Sequence, residues 1–211
     1  MAKFLRLIAW ALLIIAGLVG VLRATAIRWW QVPVGDPYLD ASIEPTLHGG
    51  DWVILWRVTA PGAGDLALCP EPKTSRPVIG RLVGMQGQHV KLSKEALFID
   101  QKPMDSESQC DKFTAHDPGS GLDVQQGCST EVVAEKTHMI GMVKDGLAKP
   151  ADAGLDVPAG QVFLASDNRQ FPWDSRDFGT VERSSCSETV VFRLVSKDGF
   201  FDVPNRLSLI H

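Results

Sequence analysis

The chain has 211 residues, enough for one membrane anchor and one globular domain. It carries 21 Lys and Arg against 25 Asp and Glu, and the resulting net charge of −4 predicts no nucleic-acid partner. Its 19 Gly and 13 Pro favour short strands and turns over long helices.

The first predicted element is an apolar N-terminal helix. Residues 7–22 carry no charged side chain, and the apolar stretch around them is long enough, at ~1.5 Å per residue, to cross a hydrocarbon core of about 30 Å. Trp29 and Trp30 follow where interfacial aromatic residues are expected. We predict that residues 1–30 form a membrane anchor and interfacial segment. A signal peptide cleaved near residues 24–26, which read Ala-Thr-Ala, is the alternative.

The rest of the chain is predicted to be mostly β. Apolar, β-branched and aromatic residues predict strands at 51–58, 66–69, 78–83, 89–92, 96–99, 161–165 and 189–195. The third and fourth of these segments flank a turn containing Gly84 and Gly87, which predicts a hairpin. Residues 101–158 are more polar and are interpreted as an inserted subdomain or long excursion. The β core then consists of residues 31–100 and 159–211.

Cysteine and histidine spacing predicts no metal site and no other cofactor. There are four cysteines, without a Cys-x-x-Cys pair or a histidine cluster of the kind that binds zinc. Cys110 and Cys128 flank a polar, Gly-rich stretch and are candidates for a local disulfide. An exported domain favours pairing of all four, and four unpaired thiols are the alternative.

Two polar runs carry the strongest functional signal. The first is Ser42-Ile43-Glu44-Pro45-Thr46-Leu47, followed by Gly50-Asp51. The second is Ser166-Asp167-Asn168-Arg169, followed by Asp174-Ser175-Arg176 and Gly179. Each run alone is common in turns and helix caps. Their order and spacing behind an apolar helix resemble the type I signal peptidase family (bacterial leader peptidase). A third run, Gly64-Asp65-Leu66 leading to Pro70, also fits that family.

The resemblance implies an antiparallel β-sheet catalytic domain with an inserted subdomain and one N-terminal transmembrane helix. It implies a serine endopeptidase in the inner membrane, single-pass, with its catalytic domain in the periplasm. Exported preproteins or signal peptides, and the lipid bilayer, would be its partners. The family's β-domain would also contain Cys69 and Cys186, a candidate disulfide.

The resemblance also assigns site residues. Ser42 takes the position of the nucleophile. The site-supporting positions are Pro45, Thr46, Asp51, Arg81, Asp167, Asn168, Arg169, Asp174, Ser175, Arg176 and Gly179.

Three departures from the family pattern fall on catalytic positions. Gly80 occupies the slot of the catalytic lysine, which takes the proton of the serine in the family. Asp40 replaces a serine of the oxyanion hole, where a carboxylate would repel the developing charge. Pro172 replaces the serine that orients the lysine. Loss of members of a catalytic set typically lowers the rate by ~10⁴–10⁶-fold.

Three residues are candidates for a substitute base. Lys91 would be the cross-strand neighbour of Gly80 if the predicted hairpin forms. Asp40 is a second candidate, although a carboxylate is a poor base at its usual pKa. His89 is the third, and its alternative role is that of a solvent-facing strand residue.

The leading interpretation is therefore a signal peptidase that cleaves signal peptides from exported preproteins. The alternative from another class is a catalytically impaired pseudopeptidase, which binds exported or pilin-like chains without cutting them. A specialised processing enzyme of a conjugation or secretion system shares the fold and differs in substrate.

Overall fold

The computed structural model describes residues 2–92, 96–142 and 154–210. The helices are α1 Ala2–Thr25, α2 Pro37–Ile43 and α3 Ser175–Phe178, with a 3₁₀ turn at Arg183–Ser185. The first eight strands are β1 Ile27–Gln31, β2 Trp52–Trp56, β3 Leu66–Pro70, β4 Pro77–Met85, β5 His89–Leu92, β6 Leu97–Ile99, β7 Lys102–Pro103 and β8 Ser106–His116. The others are β9 Asp123–Val133, β10 Lys136–Gly141, β11 Leu155–Asp156, β12 Gln161–Ala165, β13 Val181–Glu182, β14 Glu188–Val195 and β15 Ser208–Leu209.

The described strands form three antiparallel sheets. The largest has the order β1-β2-β14-β3-β4-β12-β13, and β15 pairs with β14. A second sheet has the order β10-β9-β8, and a third has the order β11-β5-β6-β7. The predicted fold class, mostly β with an N-terminal apolar helix, is confirmed.

The large sheet is held by apolar side chains on its inner face. In β2 the alternating residues Val53 and Leu55 are fully buried, whereas Trp52 on the other face is exposed. Leu39 and Ile43 of α2 belong to the same buried cluster as these β2 residues. Helix α2 is therefore fixed against the sheet by its apolar side, and this fixes the position of the serine that it carries.

The predicted strands are found within one or two residues, but the predicted hairpin between 78–83 and 89–92 is wrong. Strand β4 pairs with β3 and β12, whereas β5 pairs with β6 and β11 in another sheet. The physical reason lies at Gly84, where an added Cβ would lie 2.3 Å from Cγ2 of Val90. The absence of a side chain lets β5 pack across the face of β4 instead of beside it.

Helix α1 projects from the domain and is exposed along its length. Its segment Lys3–Thr25 has a mean hydropathy of 2.4, and it is long and apolar enough to cross a membrane. Arg57 donates to the carbonyl oxygens of Arg23 (3.0 Å), in the last turn of α1, and of Ile27 (3.2 Å), the first residue of β1. The guanidinium of Arg23 also lies 4.6 Å from the ring centroid of Trp29.

The polar region 101–158 contributes β8, β9 and β10, which form a sheet of their own, and β11, which returns to β5. Residues 143–153 of this region lie outside the described residues. Cys110–Cys128 joins β8 to β9, and Cys69–Cys186 joins β3 to the end of the 3₁₀ turn. All four cysteines are paired, as expected for an exported domain.

Candidate functional site

Helix α2 carries Ser42 and begins at a well-formed cap. The Asp36 carboxylate accepts hydrogen bonds from the backbone N–H groups of Tyr38 (3.2 Å) and Leu39 (3.1 Å), and Pro37 occupies the first turn, where its missing N–H costs nothing. The helix ends at Glu44, which joins Pro45 through a cis peptide bond. Ser42 therefore lies on a short helix between two capping residues, Asp36 and Glu44.

The Ser42 side chain is enclosed and already has a hydrogen-bond partner. Its residue exposure is 0%, and its Oγ donates to the carbonyl oxygen of Leu39, three residues earlier, at 2.8 Å. Within the described part of the chain, no amine, imidazole or carboxylate makes a hydrogen bond to this hydroxyl. Its proton is thus held by a backbone carbonyl, which is not a base.

The fold brings the two sequence motifs into direct contact. The backbone N–H of Asn168 donates to the carbonyl oxygen of Ser42 at 3.0 Å. The Thr46 hydroxyl donates to Oδ2 of Asp167 at 2.6 Å. The two runs, more than a hundred residues apart in sequence, therefore form one site.

Arg81 and Asp167 form a fully buried ion pair beneath this contact. Arg81 Nε donates to Asp167 Oδ1 at 2.8 Å, and Nη2 donates to Oδ2 at 2.9 Å, while Nη1 donates to the carbonyl oxygen of Gly64 at 2.8 Å. Burial alone would raise the pKa of Asp167. The charge and hydrogen bonds of Arg81, with the hydrogen bond from Thr46, outweigh burial and lower that pKa to about 2.

The later residues of the second motif cap and position α3. The Asp174 side chain accepts from the backbone N–H of Arg176 at 2.9 Å and is paired with the Arg176 guanidinium at 2.7 Å. Burial opposes ionisation of Asp174, but the Arg176 charge lowers its pKa below the usual value. The Ser175 hydroxyl accepts from the backbone N–H of Leu164 at 2.9 Å. Gly179 closes the helix with a φ of +85°, a conformation that glycine adopts without strain.

The sheet β8–β10 is connected to the second motif by side chains that sequence reasoning missed. Asn168 exchanges two hydrogen bonds with Gln126 of β9, at 2.8 and 3.0 Å. Arg169 is paired with Glu131 of β9, and Nε2 of His138 in β10 lies 3.4 Å from the same carboxylate. These partners lie within residues 101–158, where the sequence contains none of the family motifs.

The buried His138 predicts a pH dependence of stability. Burial lowers its pKa below the usual value, and the charges of Arg81 and Arg169 add to this effect against the opposing influence of Glu131 and Asp167. The unfolded chain therefore takes up a proton near pH 6.5 that the folded chain does not, so the free energy of unfolding falls as the pH drops from 7.5 to 5.5.

Urea denaturation of the full chain across that range measures this effect. His138→Gln should reduce the pH slope, which for one group is at most about 1.4 kcal/mol per pH unit. His116→Gln, at an exposed position, is the control and should leave the slope unchanged. An identical slope for wild type and His138→Gln would contradict the expectation.

The residues considered as bases are not brought to Ser42. An added Cβ at Gly80 would lie 3.0 Å from Cβ of Leu164, so Leu164 fills the space beside this position. Lys91 pairs with Phe98 in another sheet, so the cross-strand contact with Gly80 is wrong. Asp40 lies two residues before Ser42 in α2, and such residues do not face each other. His89 is partly exposed, and its Nδ1 lies 2.7 Å from Oδ1 of Asp156.

Asp51 anchors the loop that follows α2. Its carboxylate accepts from the backbone N–H groups of His48 (3.0 Å) and Lys197 (2.7 Å) and from Arg193 Nη1 (3.3 Å). Arg193 also donates to the carbonyl oxygen of Thr46 at 3.2 Å. Asp51 was identified from the motif. Its partner Arg193 on β14 was not, because no local sequence pattern connects these two distant residues.

Comparison with known proteins gives a consistent set of relatives. The family model described as signal peptidase, peptidase S26, matches residues 5–195. Signal peptidase I of Streptococcus pneumoniae is 22% identical over 161 residues, which cover 72% of this chain and 78% of that protein. Signal peptidase I of Pseudomonas aeruginosa is 26% identical over 176 residues, covering 74% of this chain and 57% of that protein. A solved signal peptidase I from Enterococcus faecalis is 21% identical, with a TM-score of 0.39, and covers 63% of this chain and 98% of that chain.

Proposed function

The chain belongs to the peptidase S26 family of signal peptidases, and from this premise we propose that it is a membrane-anchored pseudopeptidase. It binds extended segments of exported chains and does not hydrolyse them by the serine–lysine mechanism. The single observation that carries the proposal is the state of Ser42, which is fully buried and donates its proton to the carbonyl oxygen of Leu39. A serine hydroxyl without an adjacent base is a weak nucleophile.

The proposed orientation follows from α1. This helix is apolar, exposed and long enough to span a bilayer, and β1 follows directly from it. A helix retained in the inner membrane would therefore hold the β-domain, with its two disulfides, against the periplasmic face of the bilayer. Exported chains that leave the bilayer would then meet β1 first.

Strand β1 is the proposed binding edge. It is the terminal strand of the large sheet, and in the described chain it pairs on one side only, with β2. An extended peptide can add to such an edge through backbone hydrogen bonds. Trp29 on this strand is 41% exposed and offers an apolar contact to a signal sequence.

Binding to a fluorescent signal peptide ending in a small-x-small sequence tests the proposal, with the full chain in detergent micelles. Ser42→Ala should bind the peptide as tightly as the wild-type chain does. The peptide should be recovered intact after incubation with either protein. Trp29→Ala should weaken binding at least about fivefold, because Trp is enriched among the interface residues whose truncation costs more than about 1 kcal/mol. Trp52→Ala is the matched control, since Trp52 is similarly exposed on the neighbouring strand β2. Failure of the wild-type chain to bind would refute the proposal.

A hydrolytic signal peptidase is the second candidate function. It is favoured by the intact contacts around Ser42, namely the Asn168 hydrogen bond to its carbonyl oxygen and the Thr46–Asp167–Arg81 chain below it. Turnover requires that the Ser42 hydroxyl leave Leu39 and meet a base. The substrate would be the same class of exported preprotein.

A further inference from the structure

Three side chains that the proposed function does not use converge beside α2. They are Asp40, Glu44 and His48, which follow one another at intervals of four residues. One carboxylate oxygen from each acid and one ring nitrogen of His48 all lie within 4.8 Å of one another. Carboxylates and an imidazole at this separation are a set of donors that a single metal ion can bridge.

The Glu44 carboxylate provides the second, independent observation. Glu44 is only 5% exposed. Its Oε1 lies 3.1 Å from Nδ1 of His48, whereas its Oε2 is buried and has no hydrogen-bond partner in the described chain. A buried acceptor without a donor is destabilising, and more so when it is charged. A cation at the cluster would supply the missing partner.

The turn that follows α2 fixes the side chain of Asp40 and the backbone of His48. Oδ1 of Asp40 accepts from the backbone N–H of Gly49 at 2.5 Å. The backbone N–H of His48 donates to Oδ2 of Asp51 at 3.0 Å. Both side chains are partly exposed, so an ion can enter from solvent and meet donors whose backbone is already fixed. Two carboxylates facing one imidazole also leave an excess of negative charge that a divalent cation balances.

We propose that Asp40, Glu44 and His48 form a binding site for a divalent cation, with Zn²⁺ as the preferred ion. Histidine nitrogen and Asp or Glu oxygen are ligands that Zn²⁺ takes, and water can complete its coordination. The imidazole disfavours Mg²⁺ and Ca²⁺, which select oxygen donors. Ser42 is two residues away from both Asp40 and Glu44 along the chain and does not share their side of the helix. The site therefore binds metal independently of the proposed peptide function, contrary to the expectation of no metal from sequence.

Calorimetric titration of the EDTA-treated full chain in detergent with ZnCl₂ tests the site. We expect one bound zinc ion per chain, and an increase of the unfolding temperature when zinc is present, because an ion that binds the folded state stabilises it. His48→Gln and Asp40→Asn should each weaken zinc binding at least about tenfold, no less than the usual loss when a second-shell partner is removed. Asp40→Asn keeps an acceptor for the Gly49 N–H, so the fold is preserved.

His116→Gln is the matched control. His116 also has an aspartate partner, Asp123, at 3.0 Å, but the pair is exposed and belongs to no three-residue cluster in the described chain. The variant His116→Gln should therefore bind zinc as tightly as the wild-type chain does. Absence of a stoichiometric zinc ion in the wild-type chain would overturn the inference, as would unchanged affinity in both His48→Gln and Asp40→Asn.

Discussion

Replacement of Arg81 by methionine is expected to destabilise the chain by about 3–5 kcal/mol, because it leaves a buried carboxylate without its counter-charge. Arg81 and Asp167 are both completely buried, and the guanidinium makes two hydrogen bonds to the carboxylate and one to Gly64. Methionine fills much of the same volume, so the loss reports the charge and the hydrogen bonds. Urea denaturation of the full chain in detergent, followed by tryptophan fluorescence, measures the change.

Arg28→Met is the control for this substitution. Arg28 pairs with Glu188 at 2.5 Å, but the Arg28 side chain is 43% exposed and that of Glu188 is 14% exposed. Solvent screens this pair more than the fully buried pair of Arg81 and Asp167, so Arg28→Met should cost less than Arg81→Met. The double variant Arg81→Met with Asp167→Leu should recover much of the loss, because neither partner is then left charged and alone. A loss below about 1 kcal/mol in Arg81→Met would show that the pair does not support the site.

Restoring a lysine with Gly80→Lys should not by itself restore hydrolysis. The new Cβ would lie 3.0 Å from Cβ of Leu164, so the side chain would have to displace this residue. The Ser42 hydroxyl would still donate to Leu39, and Pro172 offers no donor to orient an amine. We expect preprotein cleavage to stay at least about 10⁴-fold slower than that of an active family member, the usual cost of an incomplete catalytic set.

Gly80→Ala separates the packing effect from the chemistry in this experiment. It adds the same Cβ without an amine, so any difference from Gly80→Lys reports the lysine itself. Rapid cleavage by Gly80→Lys that disappears when Ser42→Ala is added would contradict the expectation. It would show that the glycine is the sole defect.

Local patterns predicted the strands but not how they are arranged. The segment 161–165 reads as a strand from its own residues, and the structure has β12 with those bounds. The pairing of β4 with β12 instead of β5 depends on close packing of Val90 and Phe163 against Gly84. This contact joins residues that are distant in sequence, and no short window contains it.

The candidate site was likewise predicted only in part from the sequence. Ser42 and Asp167 were identified from motif spacing, and the structure brings their segments together through Asn168 and Thr46. Glu131, His138 and Arg193 were missed as site residues because they lie on distant strands and carry no motif. The cluster at Asp40, Glu44 and His48 had a detectable signal in its four-residue spacing. Only Asp40 lies within α2 (Pro37–Ile43), so the spacing alone does not specify that the three side chains meet.

The central proposal is that no side chain in the described part of the chain acts as a base for Ser42, and cleavage of an exported preprotein tests it most directly. Wild type and Ser42→Ala, both purified as full chains in detergent, would be incubated with the same preprotein beside an active signal peptidase I. The account predicts that the two forms release the same background amount of mature protein. Cleavage by wild type that Ser42→Ala abolishes would contradict the account and establish a working peptidase.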